Sequence, residues 1–200
     1  MTHKALIIGN GKSIIGFDPL TVKDGYDLMI GCNHAWQQWP YLDWYCMADE
    51  RNVIYTKEQG KQFWSKTVTK SMWHMRNKLD WPGHITHGTA PKCLNVKRLE
   101  QQGQWQLEGK DISGTLAIRW AGECGATHID CIGFDSLYPK QIRSWDKAYT
   151  DVPWEKRTPG TNDRWQQAWD SAVKEVSPIP VRLVEKPEDL QNNINTIQET

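Results

Sequence analysis

Residues 113–135 read SGTLAIRWAGECGATHIDCIGFD, and this stretch decides the class of fold. The apolar residues of its first half recur at spacings of three and four, which predicts a helix that begins at Ser113 and ends at Gly125. The run from Thr127 to Gly133 is typical of a buried strand, and it delivers Phe134 and Asp135 at its carboxyl end. A helix followed directly by a buried strand indicates an α/β fold.

Further short apolar runs predict more strands, each ended by a polar or glycine-containing tip. They are residues 3–9, 26–32 and 42–48, with additional candidates at 66–72 and 179–184. Helices are predicted at 57–65 and from Thr161 to the stop at Pro178, while 80–92 is predicted to be mostly loop. We therefore expect a Rossmann-like three-layer α/β fold with a mainly parallel central sheet, formed by one domain over residues 1–186 and followed by a flexible tail over 187–200.

Charge and hydropathy exclude several classes of protein. The chain has 24 Lys and Arg against 24 Asp and Glu, so nucleic acid is an unlikely partner for it. No apolar run approaches the roughly 18–20 residues that a membrane span needs, and the amino terminus leads into a strand rather than a signal peptide. Five cysteines without Cys-x-x-Cys spacing indicate reduced thiols. The expected location is the cytoplasm.

The 12 tryptophans among 200 residues make the chain tryptophan-rich. Any one of them is expected in the core, but some indole rings are expected to face a ligand, since sugars and bases both stack on flat aromatic surfaces. His84, His87 and Cys93 do not form a recognisable zinc pattern, so no metal site and no cofactor are predicted.

The glycine loop after the first strand matches neither common phosphate motif. The P-loop pattern requires glycine where Leu6 stands, and the dinucleotide pattern requires it where Ile14 stands. Gly9, Asn10, Gly11 and Ser13 remain as a glycine loop with polar tips, which suits either a tight turn or a phosphate-binding loop.

The segment Ser113-Gly114-Thr115 has two interpretations as well. Free N–H groups and two hydroxyls at a helix start favour an anion, whereas Ser113 alone suffices for an ordinary N-cap. Because the carboxyl ends of parallel strands meet at one edge, Asn10, Asn33, Asp49 and Asp135 are expected on the same rim.

Together these segments carry a family resemblance. The stretch ALIIGNGKS, a strand ending Gly31-Cys32-Asn33, and the helix and strand of 113–135 resemble the small bacterial sialyltransferases of glycosyltransferase family 42. They also resemble the related domain of archaeal 6-hydroxymethylpterin pyrophosphokinases. The resemblance covers about residues 4–50 and 111–136 and rests on the order and spacing of short motifs.

The resemblance implies a nucleotide site. Phosphate and ribose would lie near Gly9, Asn10, Gly11 and Ser13, with Asn33 at the second strand tip and Ser113, Gly114 and Thr115 near base and ribose. In the sialyltransferases tyrosine hydroxyls stabilise the leaving cytidine monophosphate without a metal, a role open here to Tyr138 and Tyr149. The sialyltransferases take the acceptor proton with a histidine beyond the Gly-Phe-Asp region, but this sequence has no histidine after His128, and Lys12 replaces the usual loop proline.

The leading functional hypothesis is a sialyltransferase-like glycosyltransferase that uses a nucleotide-sugar donor of the CMP type and a small-molecule or glycan acceptor. Its base would be Asp135, Asp49 or His34, all at strand tips. One alternative is a pterin-type pyrophosphokinase or other nucleotide phosphotransferase, with Mg²⁺ held by Asp49 and Asp135. Another is a non-catalytic nucleotide-binding or sequestering module. A homo-oligomer is left open.

Overall fold

A parallel sheet forms the centre of the molecule. The computed structural model describes residues 3–69, 92–93, 112–137 and 162–190. Its strands are β1 (Lys4–Ile8), β2 (Leu28–Cys32), β3 (Trp44–Met47), β4 (Thr67–Thr69), β5 (Lys92–Cys93), β6 (His128–Ile132) and β7 (Val181–Val184). They join in the order β5-β4-β3-β2-β1-β6-β7, and every pair is parallel. The expected Rossmann-like α/β fold is confirmed.

The structure gives full bounds for three α-helices, α1 (Glu50–Gln59), α2 (Ser113–Glu123) and α3 (Asn162–Glu175), and residues 188–190 are helical as well. Short 3₁₀ turns occupy Lys12–Ile14, Pro19–Gly25, Ala35–Gln37, Lys61–Lys66 and Asp135–Leu137. None of the described helices has the length and apolar character needed to cross a membrane.

The sheet separates two apolar cores. On one face, Ala5 and Ile7 of β1 pack with Leu116 of α2 and Ala172 of α3. On the other face, strand residues pack with Val53 of α1 and with three tryptophans, Trp36, Trp39 and Trp64. The sheet is therefore the middle of three layers, as alternation of buried side chains along each strand requires.

An ion pair joins the two helices on the first face. Arg119 of α2 donates to Glu175 of α3 through Nε at 2.5 Å and Nη2 at 3.1 Å, and each side chain is only 11% exposed. This bidentate pair adds a specific polar contact between α2 and α3.

The predicted helix at 57–65 is wrong in its bounds. The chain forms α1 over Glu50–Gln59, then a 3₁₀ turn over Lys61–Lys66. Gly60 separates the two. A Cβ there would lie 2.9 Å from the ring of Trp36, so the indole leaves no room for a larger residue at this position. The helix starts directly after β3, because Val53 and Thr56 face the core from this earlier register.

The predicted boundaries around α2 hold closely. The helix begins at Ser113 as expected, and Gly125 lies just beyond its end with φ +85, the left-handed region that glycine adopts easily. At the other end of the chain, Leu190 lies within the predicted tail yet is fully buried in the second core. Leu190 is therefore packed in the core while residues 188 and 189 are exposed, and residues 191–200 lie outside the described part.

Candidate functional site

The candidate site lies at the carboxyl edge of the sheet. Strand order runs from β1 through β2, β3 and β4 to β5 in one direction, while β6 and β7 lie on the other side of β1. The reversal point is therefore between β1 and β6. In open α/β sheets the crevice outside such a point is the usual place for a ligand. The loops after β1 and β6 border it here, and the loops after β2 and β3 lie beside it.

A buried polar network joins β2, β3, α1 and α2 at this edge. Asn33 Oδ1 accepts from Ser113 Oγ at 2.5 Å and from Asn52 Nδ2 at 2.6 Å. Ser113 Oγ in turn accepts the backbone N–H of Ala48 at 3.0 Å. The Ser113 hydroxyl thus accepts from Ala48 and donates its own proton to Asn33, whose amide oxygen lies on this side.

The orientation of Asn33 leaves its amide nitrogen for another partner. Asn33 is 8% exposed and adopts φ +54, a left-handed conformation that asparagine tolerates better than most residues. Among the described residues Nδ2 has no hydrogen-bond partner, whereas Oδ1 has two. A nearly buried N–H₂ group fixed in this way can donate to a ligand oxygen at the carboxyl edge.

Ser113 therefore has a different role from an ordinary N-cap. Ile112 precedes the helix, and Thr115 satisfies its backbone: Thr115 Oγ1 donates to the Ile112 carbonyl at 2.9 Å and accepts its N–H at 3.2 Å. Thr115 is fully buried, so its hydroxyl serves the helix start. Gly114 is required by packing, because a Cβ there would lie 2.3 Å from the ring of Phe134.

The glycines of the β1 loop meet the β6 loop. Gly9 N donates to Ile132 O at 2.7 Å and Gly11 N donates to Gly133 O at 2.8 Å. A Cβ at Gly9 would lie 2.3 Å from the carbonyl oxygen of Gly133. These glycines allow the two loops to approach closely, and both N–H groups are engaged within the protein. Asn10 lies half-buried between them.

Asp135 is bound by the β1 loop rather than by its own loop. Ser13 donates to it twice, from the backbone N to Oδ2 at 2.9 Å and from Oγ to Oδ1 at 2.5 Å. Asp135 is only 4% exposed. Both carboxylate oxygens therefore have donors, and Asp135 could act as a base or as a metal ligand only through the lone pairs that these two bonds leave.

The remaining predicted base candidates differ in access. Asp49 stands before α1 with an exposed carboxylate that makes no capping hydrogen bond. His34 packs at 4.7 Å between ring centroids against Tyr55, and its Nε2 is shielded from solvent. Of the three predicted base candidates, Asp49 is thus the accessible one. Tyr138 and Tyr149 lie outside the described residues.

Magnesium would have to be held by Asp49 and Asp135, the only pair that the sequence suggested. Within the described ranges no group of three or more His, Cys, Asp or Glu side chains is arranged to hold a metal ion. Each oxygen of Asp135 already accepts a hydrogen bond from Ser13, so a cation at Asp135 would have to share these oxygens with Ser13.

Sequence reasoning missed Asn52. Its amide holds Asn33 in place, and the available signal was its position in the first turn of a helix that follows a strand tip. That signal was lost because the helix was expected seven residues later. Comparison of the chain with protein-family models and with curated proteins found no match.

Proposed function

We propose that this chain binds a nucleotide or nucleotide sugar at the carboxyl edge of its sheet and transfers the sugar, without a metal, to a small-molecule or glycan acceptor. The observation that carries the proposal is the Asn33–Asn52–Ser113 network, which holds a nearly buried amide donor beside the reversal point of a parallel sheet. Buried polar groups that are held rigidly but left with a spare donor are suited to recognition.

The positive end of α2 supports the same assignment. Ser113 is the first residue of this 11-residue helix, and its hydroxyl contacts Asn33, which follows β2, and Ala48, which follows β3. A helix start favours negative charge, which a departing phosphate develops. Tyr138 and Tyr149 remain the candidates for further stabilisation of that phosphate, and Asp49 is the candidate base because its carboxylate is exposed at the edge.

One feature of the sequence favours a second candidate, a non-catalytic nucleotide-binding module. No histidine follows His128, so the acceptor-side base of the family that the sequence resembles has no counterpart. Binding without turnover would identify this alternative.

Calorimetric titration with cytidine monophosphate, a CMP-sugar, ATP and GTP, each with and without Mg²⁺, tests the proposal. We expect binding of the cytidine ligands without metal. Asn10→Ala and Asn33→Ala should each weaken binding by roughly tenfold to a hundredfold, since each removes a hydrogen bond of about 1.5–3 kcal/mol to a charged group.

Gln62→Ala is the matched control, because Gln62 is exposed on the turn that precedes β4, at the opposite edge of the sheet. Its affinity should equal that of the wild type. Unchanged affinity in both asparagine variants, or binding that appears only with Mg²⁺ and a purine nucleotide, would contradict the proposal.

A further inference from the structure

The carboxylate of Asp135 is held in the manner of a bound anion. It follows β6, yet its two oxygens accept from the backbone N–H and the hydroxyl of Ser13, which follows β1. The side chain is 4% exposed, and among the side chains that the structure describes no cation pairs with it. A nearly buried carboxylate with neutral donors needs those donors to offset its loss of hydration.

The β1 loop is shaped around this carboxylate. A Cβ on Gly11 would lie 2.3 Å from the carboxyl carbon of Asp135, so only glycine allows the approach. The hydrogen bond from Gly11 N to Gly133 O holds the loop after β1 against the loop after β6. A backbone N–H, a hydroxyl and a bare glycine Cα surrounding an oxyanion resemble the concave sites in which proteins hold phosphate.

We propose that the two Ser13 donors form an anion subsite that Asp135 fills in the free protein and that a phosphoryl group of the ligand takes over by displacing the carboxylate. Two oxygens of a phosphoryl group offer the same pair of acceptors, and like charge prevents both anions from sharing the donors. The subsite lies at the reversal point between β1 and β6. The proposal rests on the proposed function only for the source of the phosphate.

The test uses inorganic pyrophosphate, which probes the subsite without a nucleoside. Asp135→Asn keeps the shape of the side chain but removes the charge that competes for Ser13. We expect it to bind pyrophosphate about tenfold more tightly than the wild type, since hydrogen bonds to a neutral acceptor are weaker than those to a carboxylate. The double variant Ser13→Ala with Asp135→Asn should lose most of that gain.

Asp24→Asn is the matched control, an exposed carboxylate on the Pro19–Gly25 turn that precedes β2 at the opposite edge. It should bind pyrophosphate as the wild type does. A folded Asp135→Asn variant whose affinity equals or falls below that of the wild type, or shows no binding, overturns the proposal.

A second measurement on the wild type covers the case in which Asp135→Asn does not fold. Carboxyl ¹³C and amide ¹⁵N resonances are followed as pyrophosphate is added. Displacement predicts saturable shifts of the Asp135 carboxyl and the Ser13 amide with one shared midpoint, whereas an unchanged Asp135 carboxyl signal overturns the proposal. Nucleotide binding that ignores Asn10 and Asn33 would contradict the proposed function alone and leave the pyrophosphate result intact.

Discussion

Single side chains show why residue type alone could not reveal the site. The sequence placed Asn33 and Ser113 among the candidates, and they do meet, at 2.5 Å between Oδ1 and Oγ. The same reasoning gave Asp135 an open role in the crevice, but its oxygens are both on Ser13. Which loop a strand-tip carboxylate contacts depends on how closely two loops approach, and local sequence does not encode that distance.

Asp130 is a buried carboxylate away from the candidate site. Arg182 donates to it at 2.7 and 3.0 Å, Tyr26 at 2.6 Å, and His128 Nε2 lies 3.1 Å away. Burial alone would raise the pKa of Asp130, but the hydrogen bonds and charge of Arg182 and the hydroxyl of Tyr26 outweigh it and hold the pKa below its usual value. Burial, followed by the hydrogen bond to Asp130 and its negative charge, raises the pKa of Tyr26 well above its usual value, although Arg182 acts in the opposite direction.

A lowered carboxyl pKa predicts acid-labile stability. Because the pKa of Asp130 is lower in the folded state, its contribution is present above the unfolded pKa of about 3.9 and disappears as pH falls through the folded value. We expect Asp130→Asn to lower the free energy of unfolding at pH 7 by about 1.5–3 kcal/mol, the worth of hydrogen bonds to a charged group. That deficit should shrink steadily below pH 4.

Urea unfolding at several pH values between 2.5 and 7 measures the deficit. Asp24→Asn serves again as the control and should track the wild type, since Asp24 is exposed. The same deficit at both ends of the pH range would contradict this account of Asp130.

Among the elements, α2 shows best how local sequence features predict the bounds of a helix. The sequence predicted its start and its end, because apolar spacing and a terminal glycine are local features. The α1 helix was misplaced because its inward-facing residues include Asn52 and Thr56, which are polar in sequence yet buried. Their burial depends on partners in other elements, Asn33 for one and Trp36 for the other, so apolar periodicity could not reveal it.

Two glycines of α2 give a paired test of the packing. Replacing glycine by alanine within a helix ordinarily stabilises it by about 0.5–1 kcal/mol. At Gly114 the new methyl would lie 2.3 Å from Phe134, whereas at Gly122 it would lie 3.2 Å from Val176. We expect Gly114→Ala to destabilise the protein by about 1–3 kcal/mol and Gly122→Ala to stay within about 1 kcal/mol of the wild type.

Thermal and urea unfolding of the two variants test whether packing requires glycine at position 114. If Gly114→Ala proves as stable as Gly122→Ala, then Phe134 can move aside and Gly114 is not required by packing. The informative quantity is the difference in the free energy of unfolding between the two variants. Both changes lie in the same helix and gain similarly from the higher helix propensity of alanine, so the difference reports packing.

At the scale of the whole molecule, short buried runs were enough to predict the layer architecture. Segments such as residues 3–9 are apolar throughout because both faces of a parallel sheet are covered. The order of the strands was not predictable in that way. It places β6 beside β1 through the register pair Ile7↔Cys131, a contact between segments more than a hundred residues apart.

Strand pairing also aligns thiols inside the protein. Cys32 and Cys46 are register partners on β2 and β3, and Cys131 lies in the same core beneath α2. All three are buried free cysteines. Burial raises the pKa of Cys32 to about 12 and those of Cys46 and Cys131 well above the usual value. Cys124, at the end of α2, is partly accessible, and burial raises its pKa as well.

The rates at which these thiols react report how often the folded protein opens. A thiol reagent attacks the thiolate, so the three interior cysteines can react only when the sheet and α2 separate. In a Cys93→Ser background we expect Cys124 to be labelled first under native conditions, and Cys32, Cys46 and Cys131 to follow together at a slower, shared rate. Mass spectrometry of timed labelling reads this directly. Fast, independent modification of Cys32 would mean that the parallel sheet opens strand by strand. A shared rate would mean that the sheet and α2 open as one cooperative unit, and that this opening limits how fast oxidants and alkylating agents reach the buried thiols.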